Sequence, residues 1–282
     1  MKLVRFGNIG EEKPGLIDRS GLLRDLSGKI SDITGDTLAP DNLAQLQNLN
    51  FHTLPEVKGE PRLGVPISGI PKIVAVGQNY MNHILEMGYT RPEEPVLFLK
   101  AISSVVGPFD PIIKPKTSTN LDYEVELAAI IGRTAINVSA AEGLNYIAGY
   151  CIMNDVSERA FQRERAGGTT KGKSANTFGP LGPWLVTADE FGNPQKKRIW
   201  TKVNDEIRQD GNTSDMVFGM AELVAYVSEF MSLNPGDVLT TGSPHGVAVG
   251  FKPPKWLQPN DVIDMGIDGL GQQKHKIISY PG

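Results

Sequence analysis

The sequence predicts a strand-rich α+β protein, and three observations support this fold class. Glycine (31) and proline (20) make up about 18 per cent of the 282 residues, against roughly 12 per cent in average protein composition. Short apolar segments of strand length recur between these turn residues. Only one segment carries a long helical repeat of apolar residues. Together these features exclude a long-helix bundle or a coiled coil.

Composition also limits the function classes. The chain carries 28 Lys and Arg against 32 Asp and Glu, a formal net charge of −4, so no basic surplus is available for a nucleic-acid partner. No run of about 18 apolar residues occurs, and the first residues lack the apolar core of a signal peptide, so we expect a cytoplasmic protein without a membrane segment. The single cysteine, Cys151, lies in an apolar segment, which indicates a buried structural thiol.

The chain is predicted to divide into a small N-terminal accessory domain, residues 1–70, and a larger domain, residues 71–282. Short apolar pieces alternate with Gly, Asp and Pro in the first part, around one weak helical pattern, DNLAQLQNL. The Pro- and Gly-spaced stretch PRLGVPISGIP closes it. This pattern is typical of a small strand-rich unit.

The larger domain is predicted to be a series of strands with few helices. IVAVG and PVLFLK are predicted strands on either side of a short helix around Asn82–Glu86, and YEVELAAIIG and YIAGYCIMND predict two more. Later strands are predicted at RIWTKVND, DVLTTG, DVIDMGI and KHKIISY. Apolar residues within 216–231 recur at helical spacing after cap candidates at 213–215, which predicts one long helix with its methionines in the core.

Three acids, Asp122, Glu124 and Glu126, alternate along the predicted strand LDYEVEL. Alternate residues of a strand share one face, so three like charges come close together. One interpretation of these three acids is a solvent-exposed face of an edge strand. The other is a divalent cation, because the strand continues into the apolar ELAAIIG and a buried unpaired carboxylate is costly. Oxygen ligands without a Cys or His cluster favour Mg²⁺ or Mn²⁺ over Zn²⁺.

Two further groups could carry chemistry. Asp155 ends an apolar strand before a polar segment, where a helix N-cap, with Glu158 three residues later, is an alternative to a functional acid. His83 and Glu86 are three residues apart and share one face of the short helix. A carboxylate beside an imidazole fixes its tautomer and raises its basicity, as a general base for water requires. A chance pair on a surface turn is the alternative here.

Two glycine-rich loops follow. GGTTKGKS, residues 167–174, matches the phosphate-loop pattern letter for letter. The charged segment before it and the Gly and Pro residues after it do not supply the strand and helix that such a loop needs, so we expect a lid carrying Lys171 and Lys173 over an anionic substrate. TTGSPHGVAVG, residues 240–250, predicts a tight turn whose hydroxyls and amides could hold a carboxylate.

Six of these segments, in this order, resemble the fumarylacetoacetate hydrolase family between Lys72 and Ser279. They are GQNYMNH with Glu86, EEPVLFLK, DYEVELAAIIG, GYCIMNDVSERAFQ, KGKSANTFGPLGPWLVT and LNPGDVLTTGSPHGV. The resemblance implies a mixed β-sandwich roll, a homodimer, and a site whose residues have the following roles. Glu124, Glu126 and Asp155 hold Mg²⁺ or Mn²⁺; His83 and Glu86 activate water on a lid; Lys173 neutralises an enolate; Arg159, Gln162 and Ser243 bind substrate.

Two positions depart from the family pattern. Ser243 stands where the family more often has threonine, which keeps the hydroxyl. Asn176 stands where many members have aspartate, so one negative charge beside Lys173 is missing.

The resemblance implies hydrolysis of the C3–C4 bond of a small anionic 2,4-diketo acid to pyruvate and a hydroxy acid. KGKSANTFGPLGPWLVT and EIRQDGNTSDMVF resemble the hydrolases of 2,4-diketo-3-deoxy sugar acids, of the L-rhamnonate or L-fuconate type. Oxaloacetate decarboxylase, diacid isomerase and ureidoglycolate lyase are alternatives on the same fold. A phosphate-loop nucleotide binder is the alternative from another class.

Overall fold

The computed structural model of the chain describes residues 1–281, and more of these residues lie in strands than in helices. The strands are β1 (Lys2–Phe6), β2 (Lys13–Ile17), β3 (Leu23–Asp25), β4 (Ile73–Gly77), β5 (Val96–Lys100), β6 (Val105–Val106), β7 (Ile112–Lys114), β8 (Leu121–Asp122), β9 (Val125–Ile131), β10 (Ile147–Asn154), β11 (Ser157–Glu158), β12 (Gly179–Thr187), β13 (Arg198–Val203), β14 (Glu206–Asn212), β15 (Val238–Thr240), β16 (Val262–Ile267) and β17 (Gly271–Ser279).

The helices are short. The α-helices are α1 (Pro40–Gln47), α2 (Met81–Glu86), α3 (Arg159–Arg163), α4 (Thr169–Lys173), α5 (Ala188–Phe191) and α6 (Met220–Phe230). Single 3₁₀ turns lie at Phe51–Thr53, Ile102–Ser104, Gly143–Tyr146, Thr213–Asp215 and Ala248–Gly250. Among residues 1–281, no helix combines the length and the apolar character needed to span a membrane. The strand-rich α+β prediction is confirmed.

Two mixed sheets dominate the architecture. The larger sheet has the order β3-β2-β1-β12-β10-β9-β15-β4-β5, with β6 added in parallel to β12. The smaller has the order β14-β13-β16-β17-β7. Most neighbours are antiparallel, but β15 pairs with β4 and β17 with β7 in parallel. A separate two-stranded ladder joins β8 to β11, and it lies next to the acids that the sequence singled out.

The larger sheet buries both of its faces. Alternate residues of β9, Val125, Leu127 and Ala129, enter a core shared with the smaller sheet and α6, whereas Ala128 and Ile130 enter a second core. The second core is completed by apolar side chains of residues 1–70, among them Leu3 and Leu38. A strand that is apolar on both faces, as ELAAII is, fits this sandwiched position.

The N-terminal segment is joined to the larger sheet through backbone hydrogen bonds. β1 pairs antiparallel with β12, so the ladder runs continuously across the predicted boundary at residue 70. α1 forms at DNLAQLQNL, as predicted. The division into an accessory and a larger domain stays a prediction. Cys151 is fully buried on β10, and burial raises the pKa of its thiol, in agreement with a structural role.

The predicted long helix begins four residues later than its apolar repeat. Met216 to Phe218 are not helical because they bind the segment before α2. The amide of Val217 donates to the Asn79 carbonyl (2.8 Å), and the Asn79 side chain accepts from the Phe218 amide (2.9 Å). α6 therefore starts at Met220. Met220 lies in the core, and Met216 packs against it only partly buried.

The predicted strand LDYEVEL is also interrupted. β8 ends at Asp122 because it pairs with β11, and β9 starts only at Val125. The same ladder delays the helix after Asp155. Glu158, rather than Asp155, caps α3 by accepting a hydrogen bond from the Ala160 amide (3.0 Å). The N-cap alternative for Asp155 is therefore wrong.

The phosphate-loop pattern at residues 167–174 does not lie between a strand and a helix. α3 precedes it, and its own helix, α4, has only five residues before β12 begins. Lys171 donates to the backbone carbonyls of Arg165 (2.6 Å) and Ala166 (3.1 Å). The amides of Gly168 and Gly172 donate to the carbonyls of Gln162 (2.9 Å) and Gly168 (3.1 Å), so they are not free to bind a phosphate.

Candidate active site

The antiparallel pairing of β9 and β10 brings the predicted metal ligands together. Glu126 lies opposite Met153, and Val125 lies opposite Asn154. The backbone amide of Asp155 donates to the Glu124 carbonyl (2.8 Å). Carboxylate oxygens of Glu124, Glu126 and Asp155 therefore lie within 4.8 Å of one another, and all three side chains are buried.

Three buried cations surround these carboxylates. Lys173 Nζ bonds both Glu124 and Asp155. Arg159 donates from Nη2 to Glu124 (2.6 Å) and from Nε to Asp122 (2.8 Å). Lys100 Nζ donates to Asp155 Oδ1 (2.5 Å) and to the carbonyl of Lys173. The charges are thus arranged in a connected network with direct contacts.

With Asp122 as its fourth carboxylate, this network has one more carboxylate than cations. Glu126 is the carboxylate without a cationic partner. It forms no ion pair within residues 1–281, and its carboxylate accepts a hydrogen bond from the Gly242 amide (3.1 Å). Burial and repulsion from Asp155 raise the pKa of Glu126 well above its usual range. Burial alone would also raise the pKa of Glu124, but Arg159 and Lys173 outweigh it and hold that pKa below its usual range.

The residues present fit a divalent cation. Three oxygen donors converge, no His or Cys belongs to the group, and one carboxylate lacks a positive partner. Such a donor set suits a hard cation of the Mg²⁺ or Mn²⁺ type. A bound cation would also remove the cost of burying Glu126 in ionised form.

The predicted water-activating pair is formed within α2. His83 Nδ1 lies 3.0 Å from Glu86 Oε2, so the ring presents Nδ1–H to the carboxylate and leaves Nε2 as the basic nitrogen. Glu86 is anchored in turn, because its Oε1 accepts from the Gly246 amide (2.9 Å). A side chain at Gly250 would overlap the Glu86 carboxylate, so only glycine leaves room for it.

A cavity of about 240 Å³ opens beside this network. It is lined by seven of the nine residues proposed for the site, namely His83, Glu124, Glu126, Arg159, Gln162, Lys173 and Ser243. The other two stand behind the wall, since Glu86 contacts His83 and Asp155 is fully buried against Lys173. The structure therefore brings all nine predicted residues together, and their roles stay predictions.

The turn at residues 240–250 differs from expectation in one respect. Thr241 and Ser243 direct their hydroxyl protons to the carbonyls of Leu127 (3.1 Å) and Val125 (2.9 Å). The hydroxyls therefore hold the turn against β9. Amides of this turn do hold carboxylates, but these belong to the protein itself: Glu126 accepts from Gly242, Glu86 from Gly246, and Asp122 from Ala248 and Val249.

Sequence reasoning did not correctly place three residues at or beside the site. Lys100 carried a weak signal, since a lysine ends the apolar strand PVLFLK and is fully buried there. Asp122 was predicted to share one face with Glu124 and Glu126, but it lies outside their cluster, where it accepts from Arg159 and from the amides of Ala248 (2.6 Å) and Val249 (3.3 Å). Gln209 comes from the smaller sheet and gave no signal.

Of the two positions that depart from the family pattern, Asn176 lies outside this network. Asn176 is exposed, and Lys173 finds its partners in Glu124 and Asp155. The missing charge at Asn176 therefore leaves the ion pairs of Lys173 in place. Gln162, by contrast, accepts from Arg159 Nη1 (3.1 Å) and faces the cavity.

Comparison with known proteins adds a family match. Residues 72–278 match the family model described as fumarylacetoacetate (FAA) hydrolase C-terminal. A protein of Burkholderia ambifaria, named only provisionally as a hydrolase, is 49% identical over 274 residues, which cover 97% of each chain. The family match starts at residue 72, one residue before β4 and two residues after the end of the predicted accessory domain.

Solved structures give the same result. Fumarylacetoacetate hydrolase from psychrophilic Exiguobacterium antarcticum is 35% identical, with a TM-score of 0.86 over 99% of this chain and 100% of that one. The 5-carboxymethyl-2-hydroxymuconate delta-isomerase from Mycobacterium smegmatis is 31% identical, with a TM-score of 0.81 over 99% and 100%. Proteins named for hydrolysis and for isomerisation therefore share this fold.

Proposed function

We propose that this chain, which belongs to the fumarylacetoacetate hydrolase family, is a divalent-metal-dependent hydrolase that cleaves a carbon–carbon bond of a 2,4-diketo acid. One observation supports this most directly. A three-carboxylate cluster fit for a hard cation shares one cavity with a histidine whose Nδ1 is held by a carboxylate. Metal ligands and a water-activating base are the two parts that hydrolysis of a ketone requires.

A bound Mg²⁺ or Mn²⁺ would supply Lewis-acid polarisation of the carboxylate and the 2-oxo oxygen of the substrate. His83, with Nε2 unprotonated, takes a proton from water as the water oxygen attacks C4. The C3–C4 bond then breaks, its electron pair passes into the enolate of pyruvate, and the proton held by His83 balances the charge when C3 is protonated. The other product is the acid that contains C4.

Lys173 and Arg159 provide positive charge at the same wall of the cavity. Burial alone would lower the pKa of Lys173, but Asp155 and Glu124 raise it, so the ammonium stays charged. A fixed ammonium stabilises the negative charge that develops on an enolate and costs little reorganisation during the reaction. The cavity therefore suits a small anionic substrate.

Within this reaction class we propose a 2,4-diketo-3-deoxy sugar acid of the L-rhamnonate or L-fuconate type as substrate. The resemblance of KGKSANTFGPLGPWLVT and EIRQDGNTSDMVF supports this choice. The test is pyruvate release from a panel of 2,4-diketo acids and oxaloacetate with Mg²⁺ and with Mn²⁺. We expect release from diketo acids, fastest from the sugar acids. Release from oxaloacetate alone would identify a decarboxylase.

Isomerisation of a diacid is the second candidate, because a solved structure with a TM-score of 0.81 is named as a muconate isomerase. Isomerisation moves protons and needs no water as nucleophile, so it leaves the carbon skeleton whole. Product analysis by mass separates the two, since only hydrolysis adds one water and yields two acids.

We also propose that the protein is a homodimer. β5 forms an edge of the larger sheet, and it exposes Val96 (42%) and Leu99 (48%). Exposed apolar edge strands are normally covered in native proteins. Light scattering coupled to gel filtration is expected to give twice the 30.6 kDa of one chain, and a monomer would contradict the proposal.

A further inference from the structure

Gln209 is a fully buried glutamine on β14 whose amide reaches from the smaller sheet to the cavity wall. Its Oε1 accepts from the Val125 amide (3.3 Å) and from Thr201 Oγ1 (2.9 Å). Its Nε2 donates to Ser243 Oγ (2.8 Å) and to the Pro244 carbonyl (2.8 Å). Both donor protons and two acceptor positions of the amide are therefore in use.

Two backbone groups fix which way this amide points. The Val125 N–H can only donate, so it requires the oxygen end of Gln209. The Pro244 carbonyl can only accept, so it requires the NH₂ end. The orientation follows from the network, and Gln209 must therefore donate a proton to Ser243 Oγ.

The hydroxyl of Ser243 then has a single orientation. Its oxygen lies 2.9 Å from the Val125 carbonyl, which can only accept, so the one hydroxyl proton is directed there. Gln209 occupies one lone pair of the oxygen, and one lone pair remains. Ser243 is 4% exposed and lines the cavity, so the hydroxyl can accept a hydrogen bond from a ligand but cannot donate one.

We propose that Gln209 is a positioning residue that makes Ser243 a hydrogen-bond acceptor for an O–H group of the ligand. Ser243 bonds Val125, the residue between Glu124 and Glu126, so it lies at the carboxylate end of the cavity. In the proposed function, on which this step rests, the C2 oxygen of the substrate binds at that end. The chemical class selected is then an acid with O–H at C2, namely a 2-hydroxy acid or the enol of a 2-oxo acid.

The pair lactate and pyruvate tests this selectivity, because they differ at C2 by O–H against C=O. Their Kd values are measured by titration calorimetry on the Mn²⁺-loaded protein, with both lactate enantiomers. Ser243→Ala is expected to weaken the better-bound lactate about 3- to 10-fold, the effect of one hydrogen bond, and to leave pyruvate within about twofold. Gln209→Met is expected to reduce the same selectivity, because it removes the donor that holds Ser243 Oγ beside the Val125 carbonyl, so the side chain can change rotamer and donate its proton into the cavity.

Gln273→Met is the matched control. Gln273 is also fully buried and donates to the carbonyls of Ile152 (2.9 Å) and Gly182 (3.2 Å), but it does not line the cavity. It is expected to leave both Kd values unchanged, and Ser243→Thr is expected to keep the selectivity of the wild type. If Gln209→Met does not fold, the lactate and pyruvate Kd values of Ser243→Ala and Ser243→Thr test the proposal.

Two results would overturn the proposal. In one, Ser243→Ala weakens pyruvate as much as lactate, or weakens neither. In the other, a folded Gln209→Met keeps the wild-type ratio of the two Kd values. Binding is measured without turnover, so failure of the proposed hydrolysis is recognised separately, by the absence of pyruvate release from every 2,4-diketo acid.

Discussion

Two buried polar clusters of this protein have opposite character. The site cluster consists of Asp122, Glu124, Glu126, Asp155, Lys100, Arg159 and Lys173. The His275 cluster consists of His275 and Gln273 on β17 with the Asp110 carbonyl. Both are shielded from solvent, but only the first has an unpaired carboxylate and opens to a cavity.

The His275 cluster shows how a polar group is buried for structure alone. Nδ1 donates to the Asp110 carbonyl (2.8 Å), and Nε2 lies 3.1 Å from Gln273 Oε1. Only the imidazolium could donate to both oxygens, but burial outweighs that gain and lowers the pKa of His275 to about 4. Burial of polar side chains therefore does not mark a functional site. Unbalanced charge beside a cavity does.

Removing the unpaired charge should have the largest effect on activity. Glu126→Gln is expected to lower pyruvate release about 10³-fold or more, because a ligand for the cation is lost. The same change should raise the metal-free free energy of unfolding by about 1 kcal/mol, because buried Glu126 must either stay ionised without a cationic partner or take up a proton, and glutamine avoids both costs. Kinetics and urea unfolding measure the two effects. Full activity of Glu126→Gln, with Gln273→Met as control, would contradict the metal site.

His83→Ala should affect water attack more than decarboxylation. We expect hydrolysis of a 2,4-diketo acid to fall about 10²- to 10⁴-fold, the usual contribution of a general base. Oxaloacetate decarboxylation in the same preparation should fall much less, because it needs no activated water. His52→Ala is the control, since His52 is exposed. Equal losses in both reactions would remove His83 from the role of base.

Lys100→Met should lower the free energy of unfolding more than the loss of an exposed lysine does. Lys100 is fully buried against Asp155, so its loss leaves that carboxylate with Lys173 alone. Breaking a buried pair typically costs about 3 kcal/mol or more. Lys255→Met removes the exposed partner of Glu206 and should leave the free energy of unfolding nearly unchanged, because water screens an exposed pair. Similar unfolding free energies for the two variants would show that the Lys100 pair contributes little.

The His275 cluster predicts a smaller effect of pH on stability. The folded-state pKa of His275, about 4, lies below the unaffected value of 6.5, so the unfolded chain binds more protons between these values. The His275 contribution is therefore intact above pH 6.5 and is lost as pH falls towards 4, by about 1.4 kcal/mol at pH 5.5. Unfolding of the wild type and His275→Gln from pH 7.5 to 4.5 measures the difference. Parallel curves would contradict it.

The sequence predicted the parts of the site that depend on local geometry. His83 and Glu86 meet because three residues span one helical turn. Strand alternation placed Glu124 and Glu126 together in the prediction; in the structure only Glu126 lies in β9, and Glu124 lies in the break before it, but their carboxylates still converge. Asp155 was assigned to the same site only through the family resemblance, because the register of β9 and β10 is set by packing across the whole sheet.

Long-range contacts account for what was missed. The start of α6 depends on the binding of residues 216–218 to Asn79, and the break after Asp122 depends on pairing with β11. Lys100 and Gln209 reach the site from strands distant in sequence, so local pattern could not assign them. The direction of the Ser243 hydroxyl proton follows from the Val125 carbonyl and the Gln209 amide, which only the folded chain brings together.

The most direct test of the account is pyruvate release by chelator-stripped wild-type protein before and after addition of Mn²⁺. Acetylpyruvate serves as a simple 2,4-diketo acid, and Glu126→Gln is measured in parallel. The account predicts negligible release without metal, recovery with Mn²⁺ in the wild type, and little recovery in Glu126→Gln. Equal release with and without Mn²⁺ would contradict the assignment of the carboxylate cluster as the metal site of a hydrolase.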